Sequence, residues 1–66
     1  MAPHQQRVAA ERAELAERLD KLAAFIHSER FADVPDAEQE RLRRQRVHMR
    51  GYLHVLDERM GAWGAS

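Results

Sequence analysis

PDAEQERLRRQRVHMRGYLHVLDERM, residues 35–60, is the stretch that decides the fold. Leu42, Met49 and Leu56, with Trp63 just beyond, recur every seven residues as the a positions of a heptad do. Leu53 and Met60 widen this apolar face toward the C-terminus, and Val55 widens it from the other flank. Such spacing is the period of an amphipathic helix, not the alternation of a strand. Val34 precedes Pro35 and is therefore pushed out of the α region. The helix is expected to begin at Pro35 or one to two residues earlier, with Asp33 or Val34 as its cap. Asp36, Glu38 and Glu40 suit the positive end of the helix dipole. Gly61 and Gly64 supply a stop, so the helix is expected to end near Met60 and to leave a short tail. Gly51 lies mid-helix, at a cost of ~1 kcal/mol relative to alanine.

Upstream, Pro3 fits the first turn of a helix, where its missing N–H costs nothing. From there to about residue 27 the chain is dominated by Ala, Glu, Arg and Leu, all strong helix formers. Val8, Leu15, Leu19, Leu22 and Ile26 fall on one face, with Arg12 in the seam between Val8 and Leu15. Ala9, Ala16 and Ala23 repeat beside that seam and would let a second helix approach closely. Glu14–Arg18 and Glu17–Lys21 are i,i+4 pairs worth ~0.3 to 0.5 kcal/mol each. Residues 28–34 form the connection, with Phe25 and Phe31 to plug the closed end. Two helices of nearly equal length joined by a short connection predict an all-α, antiparallel two-helix hairpin, one domain over residues 1–66.

A chain of 66 residues buries too little surface to be stable without help. It has no cysteine, which removes disulfides and thiolate metal sites and fits a reducing cytosol. Assembly with further copies is the remaining source of stability, so a homo-oligomeric helical bundle, dimer or higher, is expected. Eleven basic and eleven acidic residues give zero net charge, which argues against general nucleic-acid binding. The balance is local, however: Glu40 to Arg50 carries five arginines against one glutamate, net +4, and the rest of the chain carries −4. No apolar run reaches the ~20 residues of a membrane span. Met1 to Gln6 lacks the basic and apolar regions of a signal peptide, so a cytoplasmic location is expected.

Catalysis is not expected. The histidines at 4, 27, 48 and 54 form no i,i+4 pair, and a zinc site needs three or four convergent ligands, so neither metal nor cofactor is expected. Ser28 and Ser66, near a loop and at the terminus, have no supporting base. The d positions of the heptad hold Gln45, Tyr52 and Arg59, three large polar residues on one seam. They are either a polar layer that sets register and subunit number, or a ligand surface with Tyr52 as stacking plate and Arg59 as anion clamp. Gly51 beside Tyr52 favours the second, since glycine lets a ligand or backbone come close. Arg12 has the same two readings, its stem packing along the seam while its head snorkels out. Arg46 and Arg50, within the arginine run, are either a solvated face or an anion-binding surface completed by further subunits.

The succession H-Q-Q-R-V, E-x-x-E-L, K-L-x-x-F-I and F-x-x-V-P-x-x-E-Q-E-R-L-x-x-Q-x-x-x-M-x-x-Y-x-x-V-L-x-x-R-M spans His4 to Met60. In this order it resembles a family of short helical proteins of phages and prophages, related to one of crAss-like phages. Gln6, Arg7, Glu11, Leu15, Leu22, Phe25, Ile26, Phe31, Pro35, Leu42, Gln45, Met49, Tyr52, Leu56, Arg59 and Met60 carry the likeness. Some members have tyrosine where this chain has His4, and lysine is frequent where it has Arg12. That family has no assigned activity. Phage accessory proteins of this size are frequently counter-defence factors, and one class acts as oligomeric helical sponges for nucleotide alarm signals. By that analogy the expected function is sequestration of a small anionic ligand, a nucleotide first, in the host cytoplasm. The alternatives are an inhibitor that binds a host protein and a purely structural coiled-coil module.

Overall fold

The computed structural model describes residues 2–64; Met1, Ala65 and Ser66, and with them the end of the expected tail, lie outside the described residues. Helix α1 runs Pro3–Ile26, a short 3₁₀ turn runs Glu29–Asp33, and helix α2 runs Asp36–Gly64. The hairpin is all-helical, and its extents of 48 × 14 × 14 Å make it a rod two helices wide. Its radius of gyration is 15.0 Å, where a compact chain of this length would have about 11 Å.

Local chemistry explains each boundary. Ala2 has no side-chain oxygen to cap α1, but Gln5 reaches back and accepts the Ala2 N–H at 3.0 Å. At the other end Ser28 donates its hydroxyl to the Phe25 carbonyl at 2.6 Å, closing the last turn. Val34 is extended, as a residue before proline must be. The Pro35 carbonyl accepts the first bonds of α2, from Glu38 and Gln39 N–H at 2.9 Å each. The cap is therefore Pro35, neither Asp33 nor Val34. Gln39 holds the corner by donating its amide to the carbonyls of Phe31 and Val34, at 3.0 and 2.8 Å.

The expected stop at Met60 is corrected: α2 continues through Gly61 to Gly64. A glycine ends a helix by adopting the left-handed conformation, and no described glycine has a positive φ. The extra turn carries Trp63 onto the core, where its ring meets His4 edge-to-face at 6.4 Å.

The core is small. Val8, Leu15 and Leu56 are buried together, with Met49, Leu53, Met60 and Trp63 packed partly over them. Phe31 is buried at the closed end against Phe25, with the Arg43 guanidinium 5.1 Å from its ring centroid. Leu56 is 0% exposed. Beyond these, Val47 and Val55 remain 64% and 50% exposed on α2, apolar surface that the hairpin does not cover.

Candidate functional site

A helix turns by about 100° per residue, so a heptad step drifts by only ~20°. Gln45, Tyr52 and Arg59 therefore lie in one line along a flank of α2, and all three are exposed. Arg46 and Arg50 are turned ~120° and ~160° away from Tyr52 by the same arithmetic. One chain brings the first three together and sets the two arginines on the opposite flank.

The seam is held from both sides by neighbouring residues of α1. Glu11 accepts the Tyr52 hydroxyl on one flank. Arg12 forks onto Asp57 on the other, Nε to Oδ1 at 2.8 Å and Nη2 to Oδ2 at 3.5 Å. The bond to Glu11, then burial, then the Glu11 charge raise the Tyr52 hydroxyl above its ordinary value, while Arg59 opposes the shift. Asp57 is held below the usual carboxylate range by its bond to Arg12, with the charges of Arg12 and His54 adding to it against burial. Arg12 thus spends its guanidinium on the fold. It is separated from the Tyr52 flank by the apolar seam, and it does not join Gln45, Tyr52 and Arg59.

Of the Tyr52 flank, Arg59 has no hydrogen bond or ion pair among the described residues. Gln45 spends one N–H on the Met49 sulfur at 3.7 Å, a weak bond that leaves its amide available. Tyr52 is 45% exposed although its hydroxyl is engaged. This arrangement offers a flat aromatic surface, an amide and a guanidinium in a row about 20 Å long at 1.5 Å per residue. A Cβ built on Gly51 meets nothing within 4 Å, so the glycine leaves the surface beside Tyr52 open.

Sequence reasoning missed Glu11 and Asp57 as partners. Their signal was available in the antiparallel pairing, which sets Glu11 near Tyr52 and Arg12 near Asp57, each pair chemically complementary. Among the described residues no cluster of three metal-ligating side chains occurs, and no helix is long and apolar enough to cross a membrane.

The fold and flank define an elongated helical hairpin whose polar surface is open instead of enclosed. The Sequestin family model matches residues 2–62, and the chain belongs to that family. No curated protein and no solved structure matches the chain.

Proposed function

We propose that this protein is a non-catalytic, homo-oligomeric binding protein that sequesters a small anionic ligand. A signalling nucleotide of a bacterial defence system is the specific reading, with the protein phage-encoded and acting in the host cytoplasm. The Sequestin family name denotes a sequestering role. The observation that carries the ligand class is the exposed Tyr52 ring with Arg59 one heptad along the same flank. An aromatic face stacks on a base and a guanidinium takes a phosphate bidentately.

Arg50 and Tyr52 point to nearly opposite sides of one chain. A pocket that uses both must be built by two chains, with the Gln45/Tyr52/Arg59 flank of one facing the Arg46/Arg50 flank of another. Sequestration by this route requires assembly.

Native mass spectrometry of protein purified from infected cells tests the proposal, because it reads stoichiometry and retained ligand together. An oligomer carrying a chemically intact nucleotide is expected. A monomer without ligand, unmoved in melting temperature by any cyclic or linear nucleotide at low salt, overturns it. The exposed Val47, Val55 and Tyr52 support the second reading, an inhibitor that docks on a host protein; one stoichiometric host partner in place of nucleotide would establish that reading.

A further inference from the structure

Near the closed end of the rod, the end of α1 and the arginine run of α2 border an open hollow of about 390 Å³. Ile26, His27, Arg43, Arg46 and Val47 line it. From this hollow we infer a second ligand site, complete within one chain, for a phosphomonoester with an apolar body.

Charge is the first argument. Two guanidiniums line the hollow and none of the five residues is acidic. Arg46 is half-buried yet makes no hydrogen bond or ion pair among the described residues. A guanidinium without a carboxylate partner favours an incoming anion, because charge-assisted bonds to phosphate are about twice as strong as neutral ones. Arg43 is held in place by its ring contact with Phe31, itself buried, so part of the ordering cost is met before binding. His27 can donate an N–H in either charge state.

Shape is the second. Ile26 and Val47 make an apolar wall beside the cations, and Val47 is otherwise left 64% exposed. Ligand pockets span roughly 300 to 1,000 Å³, and 390 Å³ lies at the small end. That suits one nucleotide-sized molecule and excludes a larger one from lying wholly inside. The site shares Arg46 with the two-chain pocket proposed above but needs neither Tyr52 nor a second copy.

Both arginines have one competing role. Helix α1 has no basic residue in its last turn, and Arg43 and Arg46 stand where they offset the negative end of its dipole. The two roles separate experimentally. The amide signals of His27 and Val47 are followed by NMR while adenosine monophosphate, adenosine or inorganic phosphate is added at low salt. Adenosine monophosphate is expected to shift both signals saturably near ~1 mM, and either fragment alone to bind at least roughly tenfold more weakly. Arg46→Gln weakens binding by about tenfold or more, whereas Arg44→Gln, exposed and outside both sites, leaves it unchanged. Diluting the protein leaves the affinity unchanged, because the site lies in one chain; loss on dilution overturns that assignment and transfers Arg46 to the two-chain pocket. Signals that stay put at several times that concentration overturn the site, and a lower melting temperature for ligand-free Arg46→Gln then assigns Arg46 to the helix dipole. If the hollow binds and Arg59→Gln has no effect on any nucleotide, the Tyr52 flank alone is refuted.

Discussion

Leu56→Ala is the perturbation whose effect the fold determines most directly. Leu56 is the one fully buried large side chain of the described residues, enclosed by Val8 and Leu15 with Met49, Leu53, Met60 and Trp63 over them. Truncation removes three carbons from this contact, and at ~0.8 kcal/mol per buried methylene the transfer loss is about 2.4 kcal/mol. A residual cavity would add to it, up to the ~5 kcal/mol seen for the worst leucine truncations. Here the addition is small: the rod is only 14 Å across, and Met49 and Met60 are flexible enough to move in. A loss of about 2.5 to 3 kcal/mol follows, against a total of roughly 3 to 10 kcal/mol for a chain of this length. Urea denaturation followed by far-UV circular dichroism, at one fixed protein concentration, reads the change. With a slope near ~1 kcal/mol per molar urea, the midpoint should fall by about 2.5 to 3 M. Arg44→Ala, exposed and unpaired among the described residues, is the control and should stay within ~0.5 kcal/mol. If Leu56→Ala costs less than ~1 kcal/mol, the seam Val8–Leu15–Leu56 is not the core and the packing argument fails.

Other consequences are quickly checked. Tyr52 is the one tyrosine of the chain, so its ionisation can be followed by absorbance alone; its midpoint should lie above the ordinary ~10 and return toward it in Glu11→Gln. Because that value is raised in the folded state, the bond stabilises fully below pH ~10 and is lost as pH rises through the folded midpoint. Asp57 behaves in the opposite sense: its stabilisation is present above pH ~4 and is lost as pH falls through its depressed midpoint, so the stability gap between wild type and Asp57→Asn should close in acid. Gly51→Ala should stabilise the helix by up to ~1 kcal/mol, since the new Cβ meets nothing within 4 Å; if it also weakens nucleotide binding, Gly51 is present for close approach. Arg59→Ala should leave secondary structure and assembly unchanged while abolishing binding on the Tyr52 flank, and an Arg59→Ala protein of full affinity removes Arg59 from the site.

Periodicity made the fold readable. Leu42, Met49, Leu56 and Trp63 gave the inward line of α2, Leu56 buried and the others half-buried, and Pro3 and Pro35 bounded both helices within a residue of where they begin. Gly61 misled because a glycine stop is a tendency of the isolated chain, and Trp63 packing on the core outweighs it. The exact start of α2 was illegible for a related reason: Gln39 braces the corner by donating back to the Phe31 and Val34 carbonyls, contacts that exist only once the corner has formed. The site was half legible. The heptad placed Gln45, Tyr52 and Arg59 together, since that needs only one helix. Arg46 and Arg50 looked like their companions because they are close in number, but angle around the helix, not distance along it, decides which residues share a face.

That separation bears on what so small a chain can do. Glu11 and Arg12 are adjacent in α1, and they reach around the seam in opposite directions, to Tyr52 and to Asp57. A rotation of either helix that improved one contact would stretch the other, so the pair fixes the angular register of the hairpin. Independently of that register, both flanks belong to α2, so the turn of that one helix keeps the aromatic flank and the arginine flank apart, and no relaxation of a single chain brings them to one side. Two ways of holding an anion remain: a shallow site within one flank, such as the hollow at Arg43 and Arg46, or a deeper one shared between copies. The first costs nothing in assembly but encloses little of its guest. The second excludes more water, which strengthens every charged contact inside, and it ties binding to oligomer formation. A ligand held between copies should therefore raise the melting temperature more at low protein concentration, where unliganded chains are largely dissociated, than at high concentration. A shift independent of protein concentration would mean that the ligand is held by single chains, and that the arginine flank acts without its aromatic counterpart.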